Sequence, residues 1–320
     1  MRIQRKRRGD YNCAKHGVTQ GWLQSWLACR QKTRYYSELW SSLKESRNFW
    51  YGGVVHEALE RLHKMVEVPN NEDVKQIVED CMATLYEELE KGRAKKDDME
   101  AAELLHVNVE VVVSAYVNHW SEDWSDRNHW VETEFEFNID VEGVPLRGKI
   151  DGIVRRGKGN DNWWVFETKT RSQISDDLPR QLAVDFQSQV YQYAVARTYD
   201  TVPKGVYYNI VRNPGLKLGS KTLPEHRERL AEDIEKRPDW YFRRFEIIGD
   251  PSDNKDFVND LKKIIQEYKL WCQGLRPCYR NRGACYSGGF FSCAYLDACI
   301  SGNMIGYYKR DRLFPELESD

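Results

Sequence analysis

Nowhere in these 320 residues is there an apolar run long enough to cross a membrane. The basic arm at residues 2–8 is not followed by the apolar stretch of a secretory signal, so a cytoplasmic location is expected, in a prokaryotic or phage-encoded setting. A Walker-type phosphate loop is also missing. The nearest match, Gly215 to Thr222, has the wrong spacing and follows Asn213-Pro214, which reads as a turn and excludes ATP hydrolysis by that route. No two cysteines have the close C-x-x-C spacing of a zinc knuckle. There is no surplus of positive charge either. Lys and Arg number 48 against 50 Asp and Glu, so no global basic field announces a nucleic-acid partner.

What is present is ordinary for a soluble globular protein: 41% hydrophobic and 31% charged residues, enough to bury a sizeable core. Apolar spacing predicts helices over 20–45, over 53–66 after Gly52-Gly53, and over a charged stretch from 72 to 119 that breaks near 91–98. Strands are predicted at 131–139 and 144–154, paired across a Glu142-Gly143 turn, and at 163–168 and 205–211. Helices at 182–199 and 257–275 follow, with loops at 213–225 and 249–255. Helices, then strands, then a crossover helix and strand predict one α/β domain over 1–320 with a helical insertion at about 67–130.

The most informative stretch is Gly148-Lys149-Ile150-Asp151-Gly152 followed by Phe166-Glu167-Thr168-Lys169. A turn near Gly159 lies eight residues from both Asp151 and Glu167, so the two carboxylates face each other across a hairpin. Carboxylates held that close repel unless a divalent cation lies between them. Glu167 and Lys169 alternate onto one face, which sets an ammonium beside the pair and suits phosphodiester hydrolysis. Taken alone, the same three residues would usually be a solvated face carrying a weak ion pair. His56, in the early turns of the second helix, offers a mixed nitrogen and oxygen site that suits Mn²⁺ and is tolerated by Mg²⁺. In the later helix both Gln187 with Tyr191 and Gln189 with Tyr193 are neighbours one turn apart, and either pair could hold a phosphate or fix the lysine.

Gly52-x-x-x-His56, Gly148-Lys-Ile-Asp151, Glu167-Thr-Lys-Thr170 and Gln187-Ser-Gln-Val-Tyr191, in that order over residues 52–193, resemble the RecB-like branch of the PD-(D/E)xK nucleases. The resemblance implies a restriction-endonuclease-like mixed sheet flanked by helices. It implies His56, Asp151 and Glu167 as ligands of one or two Mg²⁺ or Mn²⁺ ions, with the Thr168 carbonyl as a further ligand. Lys169 would orient or help deprotonate the attacking water, and Gln187 and Tyr191 would match the family's Gln-x-x-x-Tyr motif. The chain departs from the pattern in having no proline before Asp151.

Eight cysteines without a secretory signal are expected to be thiols or metal ligands. Cys285, Cys293 and Cys299 sit in an aromatic and glycine-rich end at about 272–302, and Cys29 is the candidate fourth, with Cys278 in reserve. One early and three late cysteines resemble the iron–sulfur subset of the family, as in AddB and the CRISPR-adaptation nucleases. That resemblance implies a 4Fe–4S cluster joining the chain ends, with structural Zn²⁺ as the alternative. Such a tie would close a long loop, an entropic constraint on the order of 4–5 kcal/mol. Cys13, Cys81 and Cys272 read as plain thiols.

The function expected from these features is a metal-dependent DNA nuclease, foremost a single-strand exonuclease whose inserted helices arch over the site. The alternatives are an endonuclease or spacer-processing nuclease, or a non-catalytic iron–sulfur DNA-binding subunit. The sequence carries no sign of the oligomeric state.

Overall fold

A computed structural model describes the chain apart from residues 1–10, 43–46, 92–95, 126–128, 158–161, 288–290 and 318–320. The basic arm and the hairpin turn around Gly159 therefore lie outside the described residues. The chain enters through α1 (Cys13–His16) and a two-residue strand β1 (Val18–Thr19), then α2 (Gln20–Ala28) and α3 (Arg30–Ser37). The helix expected over 20–45 is thus broken. Cys29 takes an extended backbone (φ −158°, ψ 111°) between α2 and α3, and after Leu39 (φ 66°) the chain turns into strand β2 (Trp40–Ser42).

Next comes α4 (Arg47–His63), which begins earlier than expected and contains Gly52 and Gly53 instead of starting after them. A Cβ on Gly52 would stand 3.0 Å from Thr170 Oγ1, so glycine here lets the helix press against the strand that carries Glu167. The charged stretch folds as α5 (Asn71–Lys91), α6 (Lys96–His119) and a short α7 (Glu122–Ser125). Instead of arching freely, α5 packs on α4, and α6 packs on α5 and on a later helix.

The sheet is built from β3 (Trp130–Val141), β4 (Val144–Arg156) and β5 (Asn162–Arg171), then, after α8 (Leu178–Ala183) and α9 (Phe186–Tyr199), β6 (Gly205–Arg212). Asp185 caps α9 through its side chain and divides the helix expected over 182–199 in two. After β6 come α10 (Leu223–Lys236), α11 (Pro238–Tyr241) and a final sheet strand β7 (Phe242–Ile248), where the sequence predicts only a loop at 213–225. Helix α12 (Pro251–Cys272) starts inside the other expected loop. The cysteine-rich end carries β8 (Tyr286–Ser287), β9 (Phe291–Ser292), α13 (Leu296–Ser301) and β10 (Tyr307–Lys309), the last pairing antiparallel with β2.

Strand order is β1-β4-β5-β6-β7, with β3 also paired to β4. β5 and β6 run parallel across the α8–α9 crossover, and the β3–β4, β4–β5 and β6–β7 pairs are antiparallel. One core lies under α2, α9 and α12 and includes Trp22, Trp26, Ile150, Val165, Tyr208 and Trp271. A second lies among α4, α5, α6 and α10 and includes Val55, Leu59, Met82, Val112, Tyr116 and Leu230. With both faces covered, catalytic chemistry is confined to the ends of the strands and the gaps between them.

Candidate active site

The β4–β5 ladder runs from Arg156↔Asn162 up to Gly152↔Phe166 and stops there. Continued one step, that register sets Asp151 opposite Glu167, as the hairpin spacing predicted. The strands part at this point, so the Thr168 N–H finds no main-chain acceptor on β4. It donates instead to Asp151 Oδ2 at 2.7 Å, which replaces the ladder bond with a carboxylate. Glu167 is buried (3% exposed), and its Oε1 accepts from Lys169 Nζ at 2.9 Å. Its Oε2 is buried with no hydrogen-bond partner.

Helix α4 brings His56 to the same place, with Nδ1 3.8 Å from Asp151 Oδ2. From α9, Gln187 Oε1 accepts from Lys169 Nζ and Gln187 Nε2 donates to Tyr191 OH at 2.8 Å. Of the two candidate Gln/Tyr pairs, Gln187 with Tyr191 is the one at the lysine; Gln189 and Tyr193 line a separate cavity between α9 and α12. The α9 cap Asp185 reaches Lys169 Nζ at 3.6 Å and was not foreseen. Neither was a second charge cluster, in which Lys149 Nζ bridges Glu60 Oε2 (2.8 Å) and Glu134 Oε2 (3.0 Å). Glu60 lies one turn beyond His56. Glu134 falls opposite Asp151 in the β3–β4 register and holds a left-handed backbone (φ 56°), strain of the kind that persists where surrounding structure imposes it.

Burial, reinforced by Asp151 and only partly opposed by Lys169, pushes the Glu167 carboxyl up to about 8. Burial with help from Asp151 pushes Glu134 to about 8 as well, against the pull of Lys149. For Lys169, burial would lower the ammonium's pKa, but Glu167, Asp185 and Asp151 together outweigh it and raise it. Lys169 is therefore a held cation and not a ready base. Of the carboxylates around it, Glu167 is the most deeply buried. Desolvation in the cleft, with Lys169 and Lys149 nearby, lowers the His56 imidazole despite the opposing pull of Asp151, which favours the neutral ring a metal requires.

Among the described residues, no three His, Cys, Asp or Glu side chains stand close enough together to form a ready ion cage. The donor set nevertheless fits a divalent cation: an orphaned buried carboxylate oxygen, a second carboxylate beside it and a neutral imidazole. The site opens into a polar cavity of about 370 Å³ lined by His56, Lys169, Thr170, Arg171, Gln181 and Asp185.

Behind the strand, a buried network holds Thr168 from the other side. Thr168 Oγ1 accepts from Asn209 Nδ2 (3.2 Å), and Asn209 Oδ1 accepts from Arg244 Nε (3.3 Å). Arg244 forks onto Asp123, with NH1 to Oδ1 at 2.8 Å, and donates to Tyr116 OH at 3.0 Å. Asp123 Oδ2 also lies 3.7 Å from Nε2 of His63, two turns beyond His56 on α4. The network ties the strand bearing Glu167 to the helix bearing His56.

Cys29, Cys285, Cys293 and Cys299 line one cavity of about 450 Å³, together with Lys32 and Arg280. The break between α2 and α3 presents Cys29, whose Sγ lies 3.5 Å from the Asn281 N–H, and the Cys293 N–H donates to the Cys285 carbonyl at 2.8 Å. Cys278 is not among the lining residues; its thiol faces Gln31 Oε1 at 3.5 Å. Cys13 is a buried free thiol whose hydrogen bond with the Cys272 thiol lowers its pKa, and burial pushes Cys81 up to about 12.

Residues 24–299 match the PD-(D/E)XK nuclease superfamily, most of the chain, and the protein belongs to that superfamily. It is thus a metal-dependent nuclease that acts on nucleic acid. No curated protein matches it. A solved protein, described as the crystal structure of SSO0001, is similar at 18% identity with a TM-score of 0.29, covering 59% of this chain and 75% of the other. No helix among the described residues is long and apolar enough to cross a membrane.

Proposed function

We propose that residues 1–320 act as one Mg²⁺- or Mn²⁺-dependent deoxyribonuclease that degrades single-stranded DNA from an end. The observation that carries the metal-dependent reading is the buried, unpartnered Glu167 Oε2 opposite Asp151, a pair that needs a cation between its members. His56, Asp151, Glu167 and the Thr168 carbonyl would hold the ion. When bound, the cation supplies charge for the phosphorane-like transition state and acidity to the attacking water.

The chain's own groups do the rest. Asp151, fixed by the Thr168 N–H, keeps its second oxygen free for the ion. Lys169, held protonated, points a cation at the charge that develops on the phosphate. Gln187, anchored on Tyr191, keeps that lysine from collapsing wholly onto Glu167. The four cysteines around one cavity, with Lys32 and Arg280 to offset thiolate charge, support a 4Fe–4S cluster that joins the chain ends. The preference for an end and for a single strand rests on that cluster-bearing resemblance.

The test uses strands labelled at either end beside circular controls, with a Mg²⁺/Mn²⁺ titration. Linear single strands are expected to shorten progressively while circles survive. Asp151→Ala and Glu167→Ala should abolish cleavage but still bind DNA; near wild-type turnover in either variant refutes the site. Cut circles would make it an endonuclease.

A further inference from the structure

We propose that Arg171, Arg212 and Trp240 form an edge along which one DNA strand runs beside the cleft, with guanidinium groups on its phosphates and the arginine–indole stack against an unpaired base. This rests on the nuclease reading above and extends it to a substrate-binding surface.

Four observations link the cleft to that edge. Arg171 lines the cavity that contains His56 and Lys169. On the parallel neighbour β6 its register partner is Arg212, which brings two arginines side by side at the carboxyl ends of the strands. The Arg212 guanidinium lies over the Trp240 ring, 4.0 Å from its centroid. Trp240, on the short α11, leaves 47% of its surface exposed.

The charge balance points the same way. Arg34, Arg61, Arg227, Arg237 and Arg244 each have a carboxylate partner. Among the described residues no carboxylate pairs with Arg171 or Arg212, though Arg212 is half-buried. Arg237, on the same indole at 5.2 Å, is already spent on Asp233. Arg212 is crowded by burial and by Arg237, which together lower its pKa, so an incoming anion relieves it. In a chain with net charge −2, such a local surplus favours contact with a phosphate backbone. The edge is also stiff: Tyr51 OH donates to the Arg212 carbonyl (2.9 Å) and the Asn213 N–H to the Arg171 carbonyl (2.8 Å). Bases in a duplex have no free face for a stack of this kind, whereas a single strand does.

Fluorescence anisotropy with labelled oligo-dT in EDTA tests the edge, comparing wild type with Trp240→Ala, Trp240→Phe, Arg212→Ala and Arg212→Lys. Arg156→Ala, which removes an exposed ion pair with Glu246, is the surface control. Trp240→Ala should weaken binding roughly 5- to 150-fold, with Trp240→Phe recovering most of it. Arg212→Ala should lower the slope of log affinity against log salt by about 0.7, and Arg212→Lys should restore the slope. Arg156→Ala should bind as wild type does. If wild type binds and cleaves oligo-dT but Trp240→Ala and Arg212→Ala bind it equally well, the edge is wrong and the nuclease reading stands. If blunt duplex competes as strongly as single strand, the single-strand assignment falls. If wild type neither binds nor cleaves DNA, the nuclease reading itself has failed.

Discussion

Glu167 makes the metal-free protein less stable as pH rises. Its carboxyl shifts from an ordinary 4.5 to about 8, with burial the main cause. Because the folded-state value lies above the unfolded one, the folded chain binds the extra proton between those limits. The stabilisation is complete below about pH 4.5 and is lost as pH rises through about 8. At 1.36 kcal/mol per pH unit, that interval is worth about 5 kcal/mol, a large share of a typical domain's stability. Urea denaturation in EDTA at a series of pH values measures it. The unfolding free energy of wild type should fall across this window, whereas Glu167→Gln, which is neutral at every pH, should lack that component. At about pH 8 and above the variant should therefore be the more stable protein without metal. Saturating Mg²⁺ or Mn²⁺ should reverse the order, because only the carboxylate binds the ion. Calorimetric titration in two buffers of different ionisation enthalpy should show up to about one proton released per ion near neutral pH. Parallel pH profiles for wild type and Glu167→Gln in EDTA would refute the reasoning, since the orphaned oxygen would then be solvated after all.

Other perturbations read other parts of the site. Lys169→Met should cut turnover by about 10²–10³-fold with little change in DNA affinity, since it removes charge stabilisation made in the transition state; a rise in KM alone would count against that role. Arg244→Met leaves Asp123 buried without its partner and should cost about 3–5 kcal/mol in chemical denaturation, while adding Asp123→Asn should recover part of the loss. Cys29→Ser should bleach a broad absorbance near about 400 nm and lower thermal stability, while Cys278→Ser should do neither; a colourless wild type containing zinc points to the structural Zn²⁺ alternative.

The hairpin was legible because its information is local. The distance from Asp151 to a turn and from that turn to Glu167 sets a register, and the observed ladder keeps it. Helix α10 was equally legible and was missed: Thr222 and Glu225 form a capping box with Pro224 in the first turn, but the turn chemistry of Asn213-Pro214 masked it. The choice between Gln187 and Gln189 needed the phase of α9 against β5, which depends on where the Asp185 cap starts the helix. Glu60 and Glu134 meet Lys149, and Asp185 meets Lys169, only through tertiary packing, so no spacing rule could have grouped them.

These later arrivals change the chemistry, not just its inventory. The motif alone left Lys169 free to act as a base, but three carboxylates around it hold the proton on the amine. A nuclease built this way must take its water's proton elsewhere, and with His56 held as a ligand the acceptor within reach is bulk solvent at the open cleft. On the proposed reading, Lys169 works by charge and position. The pH dependence of turnover should accordingly follow the carboxylates and the water, not the lysine. Lys169→Arg, which keeps the charge but moves it, separates the two roles: it should retain part of the activity with an unshifted pH profile. A profile whose basic limb moves with the substituted cation would return the base role to Lys169.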